Sequence, residues 1–392
     1  MSKPYPLVGA KRPLSKPATH DVRTDRDLFN PRYAGRLAVQ AWLGSRLVLM
    51  LVLLVVVLQH GWPLSASLTN WDAAHFLDVA RSGYTDLAMT AYFPGLPLVM
   101  AGFGLIGVPG VVTGVLLGLV GSGFAAWALY RLAGGAVAGT LAVVAWSFAP
   151  VAVFTAVPYT EAPFCALAFW AWWYAKQNRW ALAAGLAAGA CLFRVSGVFL
   201  IAGLLVMVLV APEPARVRGR RIAWLGLPVG VLAAYTVYLR VRFGSWTAWL
   251  TAQAVGWNRH FDWPWAGVAA TAGVAGLGGV EYDTSAIFRW ELAALAIGAV
   301  TAAWAAYRRW IPEAVWVATA VLALACQGWL LSLARSMILW LPLFALVGTL
   351  GVRRTRGFEL GLRRVTFVTW YVLEAAVMVW WAVRFFTNQW AG

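Results

Sequence analysis

The sequence predicts an all-α, polytopic integral membrane protein, and three observations carry the prediction. Apolar runs of about twenty residues recur from one end of the chain to the other, each long enough to cross the hydrocarbon of a bilayer as a helix. Charged residues make up only 12% of the 392 residues, against about a quarter in a soluble domain. Lys and Arg gather in the short stretches between the apolar runs, the arrangement that the positive-inside rule requires.

The first element is a polar, basic, proline-containing stretch, 1–36, which reads as a disordered cytosolic tail with no cleavable signal peptide. Residues 37–392 read as one transmembrane domain. Span 37–60 follows seven basic residues from Lys11 to Arg36, which hold the N-terminus inside. Residues 61–110 are then an external loop. It holds a juxtamembrane helix over Trp71–Tyr84 and a proline-broken apolar piece, 92–107, too short to span comfortably.

Span 111–131 returns to the inside at Arg131. Spans 135–156 and 158–176 form a hairpin whose outer turn is Pro158-Tyr159-Thr160-Glu161. The run 180–212 lies between Arg179 and the block Arg216–Arg221, so it is a hairpin broken near Arg194-Val195-Ser196-Gly197. Span 222–243 leads to a second external loop, about 245–289. Span 290–307 ends at Arg308 and Arg309. A hairpin over 312–352 turns outside near Arg335, and 365–385 is the last span.

About eleven spans result. This topology leaves eight of the 31 Lys and Arg outside and puts 23 inside or at the inner end of the first span, which supports the orientation. The same distribution explains the formal charge of +16 and argues against a nucleic-acid partner. Cys165, Cys191 and Cys326 each lie in an apolar run and read as small buried hydrophobes. The histidines show no metal-ligand spacing.

The unusual residues then fall on one face. Asp72, His75, Tyr92, Tyr159, Glu161, Arg194, Arg259, His260 and Arg335 come from five segments, and all land outside. Each has a bland alternative. Thr69-Asn70-Trp71-Asp72 fits a capping box. Glu161 suits the positive end of a helix dipole. Trp257, Phe261, Trp263 and Trp265 around Arg259 and His260 fit an interfacial aromatic belt. Arg194, between Phe193 and Val195, is the hardest to dismiss, because an arginine in an apolar hairpin needs a partner. Glu161 and an anionic ligand are the two candidates.

Together these pieces resemble the PIG-V family, the mannosyltransferases that add the second mannose of the glycosylphosphatidylinositol anchor, and its bacterial relatives. The matching stretches are Trp71-Asp72-Ala73-Ala74-His75-Phe76 with Gly83-Tyr84, then Tyr92-Phe93-Pro94-Gly95-Leu96-Pro97. Next come Pro158-Tyr159-Thr160-Glu161, with Thr160 where the family has serine, Arg194-Val195-Ser196-Gly197, and Trp257-Asn258. The resemblance covers about residues 40–350. It implies a glycosyltransferase of the GT-C fold in a bacterial plasma membrane, with its active site on the external face and no cofactor. Its donor would be a polyprenyl-phosphate mannose and its acceptor a lipid or glycolipid hydroxyl. Bacteria make no such anchor, so a bacterial member takes another acceptor.

Asp72 is then the expected general base. His75, Tyr92, Tyr159, Glu161, Arg194, Trp257, Asn258, Arg259, His260 and Arg335 are the expected donor and substrate contacts. Two other classes fit the composition. A transporter predicts two-fold internal symmetry and polar groups at mid-membrane, and neither is visible in the sequence. A non-catalytic scaffold of the same fold predicts donor binding without turnover.

Overall fold

A computed structural model describes residues 33–352 and 358–392. The basic tail over 1–32 and the arginines at 353–356 lie outside the described residues. Within them the chain is helical, with no strand and a single isolated antiparallel bridge, Phe261 to Gln327.

The helices in order are α1 (Ala34–His60), α2 (Leu64–Leu68), α3 (Asp72–Ser82), α4 (Gly95–Gly104), α5 (Gly110–Leu132) and α6 (Ala136–Ser147). They continue with α7 (Glu161–Lys176), α8 (Trp180–Phe193), α9 (Gly197–Leu209), α10 (Ala215–Phe243), α11 (Ala248–Trp257) and α12 (Pro264–Val274). The chain ends with α13 (Ser285–Tyr307), α14 (Ile311–Ala325), α15 (Leu333–Ser336), α16 (Leu341–Leu350) and α17 (Phe358–Phe386). Five of these, α1, α5, α10, α13 and α17, are long and apolar enough to cross a membrane. A sixth span results if the pair 333–339 and 341–350, bent by 69°, is counted as one. The protein is therefore a membrane-embedded helical bundle.

The other apolar runs are helical over shorter lengths than the sequence predicts. The predicted span 135–156 is helix only as far as Ser147. Beyond it the chain runs irregularly, with a 3₁₀ turn over Ala152–Thr155, and most residues to Thr160 are buried, with Phe148, Pro150 and Ala156 partly so. Non-helical backbone survives at membrane depth only where protein surrounds it, and here α5, α7 and α17 do so. The same segment supplies a partner for Arg46, a buried cation in α1. Arg46 donates to Thr155 Oγ1 at 2.7 Å and to the carbonyl of Ser147, the last residue of α6, at 3.3 Å. The negative end of the α6 dipole thus faces the guanidinium.

Packing also covers Pro158-Tyr159-Thr160-Glu161, predicted as an outer turn. It is buried, with Glu161 wholly inaccessible. The cause lies in α5, where Gly114, Gly118 and Gly121 form one stripe. A Cβ at Gly114 would lie 2.5 Å from Pro158 Cβ, and one at Gly121 would lie 3.0 Å from the Ala162 carbonyl carbon. Small residues let the two backbones approach this closely. The turn near Arg335 is packed over in the same way, with Leu330 and Leu333 fully buried beside it.

Side-chain bonds join the helix ends at two faces. At one, Thr140 bonds Ala34 O, Lys176 pairs with Glu313 at 2.8 Å, and Arg221 bonds Asn178 and Glu213. That face carries the basic residues of 176–179, 216–221 and 308–309. At the other, the starts of α3, α7 and α15 meet the ends of α8, α11 and α17.

Candidate active site

Asp72 opens α3, but not through a capping box. The residue before the helix is Trp71, whose backbone (φ 56°, ψ −128°) is a conformation that non-glycine residues rarely hold, and no side chain caps the helix. Thr69 instead donates back to Ser65 O at 2.9 Å. The bend is tied to the end of α17: Asn70 Nδ2 donates to Phe385 O at 2.7 Å and Trp71 Nε1 to Gln389 O at 3.2 Å. The Asp72 carboxylate is left free of its own helix. Its Oδ2 pairs with Arg335 Nη1 at 2.8 Å, across 263 positions of sequence.

Glu161, the first residue of α7, is the second carboxylate. Its Oε1 accepts Arg194 Nη1 at 2.7 Å and lies 3.4 Å from Arg335 Nε. Arg194 also donates to Thr160 Oγ1 at 2.8 Å. The partner that Arg194 needs is therefore Glu161, and Arg335 stands between the two acids. The rings of Phe154 and Tyr159 lie 5.4 and 5.6 Å from the Arg335 guanidinium carbon, within cation–π range.

Arg259 follows Trp257-Asn258 at the end of α11. It donates to Gln253 Oε1 at 2.8 Å, Leu331 O at 3.1 Å and Ser332 Oγ at 3.2 Å. Burial pulls its guanidinium down to about 10, and the charge of Arg335 adds to that effect. Asp72 and Glu161 thus stand among three guanidiniums, with Glu291 a third acid within electrostatic reach of Arg259, and a phosphate entering the cavity would compete with these carboxylates for the arginines. Arg194 and Arg259 each keep a buried Nε with no hydrogen-bond partner among the described residues.

These groups line a cavity of about 430 Å³. Asp72, Tyr92, Arg194, Trp257, Arg259, His260 and Arg335 are on its wall. Its apolar side is formed by residues such as Val198, Phe199, Leu250, Phe261 and Leu324. Four expected contacts are not on the wall. Tyr159 lies behind Asp72, its hydroxyl oxygen accepting the Asp72 amide at 3.2 Å. Glu161 lies behind the arginines. His75 stacks on Tyr92 with ring centroids 5.0 Å apart, and its Nδ1 is buried with no hydrogen-bond partner among the described residues. Asn258 is exposed and terminates α11 in the left-handed conformation (φ 52°).

Tyr92 is held from outside the cavity, since Tyr84 and Tyr235 both donate to its carbonyl, at 2.7 and 3.3 Å. Burial and the nearby Asp72 charge push its own phenol well above the ordinary range. Gly95 permits this packing, because a Cβ there would lie 2.8 Å from Leu192 O at the end of α8. The loop carrying Arg259 and His260 is pinned by backbone bonds from Asp262 N to Cys326 O and from Gly328 N to His260 O.

No protein-family model matches this chain, and no curated protein matches its sequence. Sequence reasoning did not single out Gln253, Ser332 or Glu291. Glu291 carried a legible signal, an acid inside an otherwise apolar run. Gln253 and Ser332 carried none, because a polar residue near a loop is unremarkable until its partner is known. Among the described residues, no group of three His, Cys, Asp or Glu side chains is placed to hold a metal ion.

Proposed function

We propose that this chain is a glycosyltransferase of the GT-C class in a bacterial plasma membrane. It moves mannose from a polyprenyl-phosphate donor to a hydroxyl of a lipid or glycolipid acceptor. The observation that carries the reading is the cavity in which Asp72 meets Arg194, Arg259 and Arg335 beside an apolar wall. An acid, a cluster of cations and a greasy surface are what a reaction with a lipid-phosphate leaving group requires. The order of the PIG-V-like stretches supports it further. The separation of this site from the basic end of the bundle supports an external site under the positive-inside rule. About eleven passes are proposed, the shorter helices crossing inside the bundle with help from buried irregular backbone.

In the reaction the acceptor oxygen attacks the anomeric carbon. The new C–O bond forms as the bond to the phosphate oxygen breaks, and the phosphate leaves with the electron pair. Arg194, Arg259 and Arg335 take up its charge. The hydroxyl proton passes to Asp72. A β-linked donor then gives an α-mannoside with inversion. The resting pair between Asp72 and Arg335 has a part in this sequence. A phosphate entering the cavity competes for Arg335 and leaves the Asp72 carboxylate free to accept a proton.

The test is transfer of radiolabelled mannose from a polyprenyl-phosphate donor to a membrane-lipid extract by the purified protein, with comparison of envelope glycolipids in a deletion strain by mass spectrometry. Labelled glycolipid, and its loss from the deletion strain, are expected. Intact protein that neither transfers mannose nor binds the donor would refute the reading.

A further inference from the structure

The carboxylate of Glu291 has no part in the chemistry above, yet it is fully buried in α13. Its two oxygens accept three backbone N–H groups. Oε1 takes Ser332 at 2.9 Å, and Oε2 takes Leu333 at 2.6 Å and Ala334 at 2.9 Å. These are amides at the start of α15 that have no partner within that helix. Ser332 leads into the helix with φ 62°, a left-handed conformation that a serine keeps when its surroundings hold it there. A carboxylate buried in an apolar helix is costly unless its oxygens are hydrogen-bonded, and here both are.

The segment held in this way controls two of the three cations of the cavity. Arg335 follows Ala334 directly and reaches Asp72 and Glu161. Arg259 is seated on Leu331 O and Ser332 Oγ of the same segment. We propose that Glu291 is a positioning residue for phosphate recognition. It sets Arg335 and Arg259 through the 331–335 segment and does not touch the ligand. The proposal rests on the phosphate-binding reading of the cavity.

Glu291→Gln tests it, because it keeps the size and one acceptor oxygen while turning the other oxygen into an NH₂ that faces N–H donors. Glu291→Asp, which keeps the charge but shortens the reach, is the second variant should the first fail to fold. Two measurements are made on the full chain in nanodiscs: hydrogen–deuterium exchange of peptides covering 331–336, and affinity for polyprenyl phosphate. The variant is expected to speed exchange at 332–334 and to weaken polyprenyl phosphate by about tenfold, the scale of one hydrogen bond to a charged group. In an Arg259→Gln, Arg335→Gln background, Glu291→Gln is expected to cause no further loss of affinity, because the groups it positions are gone.

Unchanged exchange at 332–334 would overturn the proposal. So would an affinity loss of the same size in that background, which would make Glu291 a general support of the fold. Wild-type protein that binds no polyprenyl phosphate would instead refute the glycosyl-transfer reading. The exchange measurement would still decide whether Glu291 holds the segment.

Discussion

Arg194→Gln is the most informative single change, because the structure assigns it a partner with little else to rely on. Glu161 is wholly buried, and its Oε2 has no hydrogen-bond partner among the described residues. Its Oε1 depends on Arg194 at 2.7 Å and, more distantly, on Arg335 at 3.4 Å. Removing one partner of a buried pair typically costs about 3–5 kcal/mol, because the remaining charge is stranded. Arg335 remains beside Glu161, so the loss should fall near or below the lower end, about 2–3 kcal/mol. In a Glu161→Gln background the stranded charge no longer exists, and the same substitution should cost about 1 kcal/mol, the worth of an ordinary hydrogen bond. The two positions should therefore be coupled by about 1–2 kcal/mol. Unfolding of the wild type, both single variants and the double variant in one detergent measures it, with polyprenyl-phosphate affinity read in parallel. Additive losses would refute the ion-pair argument. A weakened affinity in both backgrounds would show that Arg194 also serves the phosphate.

Three further outcomes are expected. Asp72→Asn should lower mannosyl transfer by roughly 10²–10⁴-fold with the fold intact, and near-normal turnover would remove Asp72 as the base. In a background lacking the native cysteines, single cysteines at exposed Ser65 or half-buried Thr284 should be labelled by an impermeant thiol reagent from outside. Labelling only after permeabilisation would put the cavity on the wrong face. Gly114→Leu should force α5 away from Pro158, since even its Cβ would lie 2.5 Å from the proline ring, and should destabilise the protein by about 1–3 kcal/mol in a detergent melt. A neutral result would show that the glycine stripe does not set the depth of the 158–161 turn.

What the sequence determined by itself is what local chemistry decides. The apolar runs and sparse charge establish a helical membrane protein. The end of the first span lies at His60, as read from the run length alone, and the break at Arg194–Gly197 separates α8 from α9 where basic flanks and a glycine predict it. The juxtamembrane helix over Trp71–Tyr84 is present as Asp72–Ser82. Backbone hydrogen bonding within a helix involves neighbours in sequence, so hydropathy and punctuation suffice to find it. Even the convergence of Asp72, Arg194, Arg259 and Arg335 on one end of the bundle was legible, because basic punctuation orders the chain ends before any contact is known.

Only the tertiary structure decided which charge meets which. Asp72 fits a capping box by local pattern, yet its carboxylate turns to Arg335, because α17 ties Asn70 and Trp71 into a bend that leaves the side chain facing the cavity. Glu161 reads as a helix start at an outer turn, and the structure buries it because the α5 glycines admit its backbone. The helix over 136–147 stops early because protein surrounds the irregular stretch after Ser147 and Arg46 satisfies the helix end. Glu291 serves three amides more than forty residues away. Each of these depends on how closely two distant backbones approach. That distance is set by packing across the whole bundle, and no short stretch of sequence contains it.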